Sequence, residues 1–184
     1  AEVVRDSILA VGGNLDLSQG GPEIAPDQAL QVPRRSLYFG TYPEGGGRIN
    51  MLGLFNAPNP NGCYRRDSSI IPQQSLALVN SQFAIKQSRL AARQIVSSLK
   101  GDVSDKQFVT AAYETVLSRR PSPAEQTLCL KFLERQRAVY SQQSVTAPPK
   151  AAGNSVPAAK DPVLRARESL VRTLFSHHDF ITIH

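Results

Sequence analysis

Between Phe55 and Phe83 the chain reads FNAPNPNGCYRRDSSIIPQQSLALVNSQF. This stretch limits the fold more than any other. Pro58, Pro60 and Pro72 each fix φ and remove a backbone donor, and Asn56, Asn59, Asn61 and Gly62 supply turn chemistry. Regular secondary structure is therefore excluded over most of it. A helical pattern starts only at Pro72. A polar loop this dense, beside an apolar helix, reads as an interaction site or as the packed centre of a helical domain.

The remaining pattern is mainly helical. Val4, Ile8, Val11 and Leu15 share one helical face, which Gly12 and Gly13 end. Ala1–Val11 begins as helix interior with no cap before it. This predicts a piece of a longer protein whose missing neighbour covers Val4, Ile8 and Val11. After Pro72 the inward positions are Leu76, Val79, Phe83, Ile85, Ala92, Val96 and Leu99. Ser104 with Gln107 forms a capping box opening a helix with Phe108, Ala112, Val116 and Leu117 inward. Ser122-Pro123-Ala124-Glu125 opens another, expected to bury Leu128, Phe132, Leu133 and Val139. Only Arg119–Ser122 separates the two, so they pack antiparallel. Asp161-Pro162 caps a final helix carrying Leu164, Val171, Leu174 and Phe175.

The fold class is thus mainly α, with four or five helices. A long, ordered Pro/Gly-rich loop region, Ser18–Pro72, lies over them. Arg35–Gly40 and Met51–Phe55 have strand character and leave room for a short two-stranded ribbon. The tail Asp179–His184 reads as a short strand. Residues 1–140 and 161–184 form one domain. Residues 141–160 are rich in Ala, Pro and Ser, and read as a linker or exposed insertion.

The chain has 184 residues, a net charge of +6 and two cysteines. That charge favours acidic partners, among them anionic glycan. No apolar run approaches the roughly 20 residues of a membrane helix. Lys86, Arg89, Arg93 and Lys100 form a cationic stripe at helical spacing, a candidate face for an anionic partner. Aromatic residues do not interleave with the basic ones, so no nucleic acid is expected.

Five blocks follow one another: AEVVRDSILAVGGNLDLSQGGPEI, RRSLYF, the Phe55–Phe83 stretch, AAYETVLSRRPSPAEQ and LVRTLFSHHDFITIH. In this order they resemble the PSD-one domain of unknown function at the C-terminus of planctomycete-type cytochrome c-domain proteins. The likeness spans all but Thr41–Asn50 and Ser141–Lys160. Ser176-His177-His178-Asp179-Phe180 departs from the family's more usual ending. The resemblance implies an extracytoplasmic, cytochrome c-associated assembly. Its partners would be other domains or subunits, a c-type cytochrome among them. It carries no known activity. Asn61, Cys63, Arg65, Arg66, Gln73, Gln74 and Asn80 match its most distinctive pattern and stand as the candidate partner-binding loop or loop core.

No catalytic set is recognised. Covalent haem c needs Cys-x-x-Cys-His, which is missing here. This segment is therefore expected to hold no cofactor, and the resemblance leaves haem c to another domain or a partner chain. His177, His178 and Asp179 are adjacent and diverge, so no metal site is assigned. Cys63 beside Arg65 and Arg66 has the surroundings of a lowered thiol pKa but no neighbouring base. Cys63 and Cys129 could pair or remain buried thiols. The expected role is a non-catalytic interaction module. The alternatives are a polysaccharide-acting enzyme subdomain with the Asn61–Gln74 loop at its site, or an anionic-glycan-binding module.

Overall fold

The computed structural model describes residues 1–42, 50–55, 72–142 and 156–181. The helices are α1 (Glu2–Val11), α2 (Asn50–Gly53), α3 (Pro72–Asn80), α4 (Gln82–Ser98), α5 (Asp105–Leu117), α6 (Pro123–Gln142), α7 (Pro162–Leu174) and α8 (His178–Ile181). The domain is mainly helical. Among the described residues the only β pairings are single bridges, Asp16 with Arg34 and Ile24 with Phe39.

The local signals explain the helix starts. The Ser104 hydroxyl accepts from the Gln107 N–H, and the Gln107 side chain accepts from the Ser104 N–H. Ser122 and Glu125 make the same reciprocal pair at the head of α6. Asp161 accepts from the N–H groups of Val163 and Leu164. These contacts satisfy donors that a helix start leaves without partners. Ser118 takes the left-handed conformation (φ 55°) at the end of α5, turning the chain toward α6.

α7 packs between α4 and α6, and α5 closes the bundle against all three. α4 turns a face of small residues inward, Ala84, Ser88, Ala91 and Ala92, and α7 answers with Ala166, all fully or almost fully buried. Small side chains let two helix axes approach closely. Phe108, Val109, Leu133, Val171 and Phe175 fill the space between the helices. α1 lies on α4. A Cβ at Gly12 would run into the side-chain amide of Gln87, so a larger residue at the end of α1 would push that side chain aside. Gly13 (φ 70°) follows in the left-handed region that favours glycine.

Several expectations are corrected. Arg35–Gly40 is not a strand: Ser36–Tyr38 is a 3-10 turn, and Asn50–Gly53 is helical. The pattern after Pro72 is two helices, because Ser81 interrupts it and caps α4. Leu76 faces solvent, while Gln74 and Leu78, four residues apart, face inward. On α6 the buried positions are Cys129 and Leu133; Leu128 and Val139 are exposed, Leu128 at 67%. Residues 178–181 form the helical turn α8 rather than a strand. At the two ends of the Ala/Pro/Ser-rich stretch, α6 continues to Gln142 and Ala159 is buried; residues 143–155 lie outside the described residues.

Candidate functional site

Asn61, Cys63, Arg65 and Arg66 lie outside the described residues. Of the other loop candidates, Gln73 and Asn80 are exposed on α3. Gln74 is buried, and its amide donates to the Leu54 carbonyl at 2.9 Å. That bond ties α3 to the end of α2.

The strongest polar centre is a residue the sequence reading passed over. Arg5 sits inside α1 with 0% exposure. Nε and Nη2 donate to the Ala29 carbonyl at 2.9 and 2.6 Å, and Nη2 also donates to Val32 O at 2.6 Å. Nη1 donates to Arg34 O at 2.8 Å. The guanidinium lies 4.7 Å from the Phe39 ring centre and 5.9 Å from that of Phe83. Burial pulls its pKa below the ordinary arginine value, with Asp6 opposing the shift. Asp6 in turn accepts from both the N–H and the hydroxyl of Ser36. One arginine thereby fixes the loop backbone from Ala29 to Ser36 against α1. The signal was present: Arg5 falls among Val4, Ile8 and Leu9, inside an apolar face. Its partners are carbonyls, which leave no mark in a sequence.

The pinned loop borders a groove. Leu9, Leu30, Val32, Phe83 and Leu90 line a space of about 310 Å³, with Lys86 beside them. Leu30, Leu37 and Leu17 are exposed at 48%, 60% and 67%.

The cationic stripe does not act as one face. Lys86 borders that groove, and Lys100 is exposed beyond the end of α4. Arg89 and Arg93 turn toward α7. Arg93 bonds Glu168 and the Pro157 carbonyl, and Arg89 donates to Val156 O. With Arg165, Arg172, Tyr140 and Glu168, Arg89 lines a second, polar pocket of about 160 Å³.

A third cluster joins two of the sequence blocks. Arg119 grips Glu125 with both terminal nitrogens, at 3.0 and 2.7 Å, and Asp179 with Nε at 2.7 Å. The Arg119 bonds hold the Glu125 carboxyl down to about 2 and lower that of Asp179. His177 Nδ1 accepts from the Asp179 N–H at 3.1 Å. Nearby, the Tyr113 hydroxyl lies 3.7 Å from the Cys129 sulfur. Burial raises the pKa of both groups. Cys129 is a free thiol. Among the described residues no three His, Cys, Asp or Glu side chains converge as a metal ion would require. No helix among them is long and apolar enough to cross a membrane.

These features lie on a sequence whose residues 1–133 match the family described as PSD1, protein of unknown function (DUF1553). The chain belongs to that family. The match takes in α1 to most of α6, and with them the Arg5 centre, the first groove and the Arg119–Glu125 pair. α7 and α8 lie beyond it, so the matched residues include Arg89 and Arg93 but not Glu168, Arg165 or Arg172. No curated protein and no solved structure matches the chain.

Proposed function

We propose that this PSD1-family domain is a non-catalytic interaction module of an extracytoplasmic, cytochrome c-associated assembly. Its partners are other domains or subunits of that assembly, including a c-type cytochrome that carries the haem. One observation supports this reading above the others: Arg5 holds the Ala29–Ser36 backbone rigid while Leu30 and Leu37 point to solvent. Exposed apolar side chains on a fixed backbone suit protein contact, because little ordering cost remains on binding. The adjoining groove accepts one or two apolar side chains of a partner, with Lys86 available to an acidic residue at its edge.

The test is purification of the native particle, with a reduced-minus-oxidised visible spectrum and intact-mass measurement of every chain. A haem signal from a co-purifying chain is expected. It should be lost in a Leu30→Asp/Leu37→Asp variant whose thermal midpoint is unchanged. A particle without haem, or one retained equally by the variant, overturns the proposal.

A further inference from the structure

We infer that the pocket between α4, α7 and Val156–Ala159 binds a single tetrahedral oxyanion, a phosphate or sulfate group, through Arg89, Arg165 and Arg172. The site lies on the opposite side of α4's cationic stripe from the Lys86 groove and does not depend on the function proposed above.

Charge is the first argument. Three guanidinium groups line the pocket with one carboxylate, Glu168. That carboxylate is already engaged: Arg93 takes Oε1 at 2.8 Å, and the Ala159 N–H takes Oε2 at 3.0 Å. Arg89 is 4.0 Å from Glu168. The pocket therefore keeps an excess of positive charge. Burial lowers the pKa of Arg89, Glu168 opposes this, and the nearby cations Arg93, Arg165 and Arg172 add to the lowering. A bound anion would relieve that repulsion.

Unmet hydrogen bonding is the second. Nη1 of Arg165 and Nε of Arg172 are buried and have no partner among the described residues. Buried donors on charged groups ordinarily find an acceptor. Both side chains line the pocket and carry donors that no other described group meets.

Preorganisation is the third. Each guanidinium is held by a contact that leaves other N–H groups over. Arg89 donates to the Val156 carbonyl, and Arg172 donates to the Val79 carbonyl through Nη2. Arg165 stacks on Tyr140 at 4.3 Å, and the Tyr140 hydroxyl is bonded to Ser169 at 2.8 Å. Planar, fixed arginines match the oxygens of phosphate and sulfate. The volume of about 160 Å³ holds about five water-sized groups at roughly 30 Å³ each. One tetrahedral oxyanion with a little water fits it.

The experiment is isothermal titration of the whole chain with sodium phosphate, sodium sulfate, glucose 6-phosphate and glucose 6-sulfate, at ionic strength matched with sodium chloride. Thermal midpoints are recorded in each. Saturable binding and a raised midpoint are expected with at least one probe. Arg165→Gln and Arg172→Gln should each weaken binding about tenfold, as the loss of one charge-assisted contact implies. Arg135→Gln, an exposed charge-matched change, should leave it intact. Binding of free anion and ester alike assigns the site to the inorganic ion; ester preference assigns it to a group carried on a larger molecule. Both uphold the site. No saturable binding by any probe, or equal binding by Arg165→Gln and the parent, overturns it.

Discussion

Both Nε and Nη2 of Arg93 donate to a single oxygen of Glu168, at 3.0 and 2.8 Å, across 75 residues of sequence. The second oxygen is thereby left for the Ala159 N–H. One carboxylate on α7 fastens both α4 and the segment that leads into α7. Glu168 is 4% exposed. Replacing it by Gln removes the charge that compensates Arg93 and Arg89. Breaking one partner out of a buried pair leaves the other uncompensated. Glu168→Gln should therefore lower unfolding stability by about 2–4 kcal/mol. Urea unfolding at neutral pH measures this, and a loss below about 1 kcal/mol would show that the network holds little.

Arg5 makes a sharper case. Substituting Met keeps much of the apolar stem but strips donors from the Ala29, Val32 and Arg34 carbonyls and leaves Asp6 without its neighbour. A loss of about 3–5 kcal/mol is expected. Lys should recover only part of it, since one ammonium cannot reach acceptors spread as a fork reaches them. Limited proteolysis gives a second readout: cleavage between Leu15 and Tyr42 should accelerate in Arg5→Met well before the helices unfold. Equal cleavage rates would contradict the pinning.

The Arg119 cluster sets an acid limb. The folded-state pKa of Glu125 is depressed from 4.5 to about 2. A depressed carboxyl contributes stability that is present above its unfolded value and lost as pH falls toward the folded one. The window is therefore about pH 4.5 down to 2. Because Arg119 and Glu125 are partly open to water, screening limits the effect to about 1 kcal/mol. Urea midpoints from pH 6 to 3 should fall less steeply in Arg119→Gln than in the parent. Parallel curves would remove Arg119 from the explanation.

Cys129 should be inert. It is buried beside Tyr113, and burial raises its pKa, so little thiolate is present near neutrality. In a Cys63→Ser background, where Cys129 is the sole thiol, reaction with a disulfide reagent should follow global unfolding. Rapid labelling in the native protein would place the sulfur at the surface instead.

What the sequence disclosed, it disclosed through local chemistry. Ser104 with Gln107, Ser122 with Glu125, and Asp161 before Pro162 announce helix starts, because each signal and its partner lie within three residues. Helix faces were less legible. Leu128 lies about 140° around α6 from Leu133, so both cannot face one core, and Cys129 takes the inward position. An aliphatic-rich helix offers more than one apolar stripe, and only the neighbour decides between them. Arg5 showed only as a charge inside an apolar face, and what it and Glu168 bind was hidden for a different reason. Their partners are backbone groups and distant cations, and carbonyls have no letter in the sequence. For the same reason the Ala- and Pro-rich stretch before Asp161 reads only as a linker or exposed insertion, and the bonds that Val156 and Pro157 accept from Arg89 and Arg93 leave no mark in it.

That last contact has a consequence for how the bundle comes apart. Tyr140 is bonded to Ser169, and Val156 and Pro157 are fastened to α4, so the end of α6 and the lead-in to α7 are anchored by separate sets of bonds. α7 is thus moored twice, once to each helix it lies between, and neither mooring borrows an atom from the other. A single lost contact loosens one flank of the helix and leaves the other flank to keep it in register.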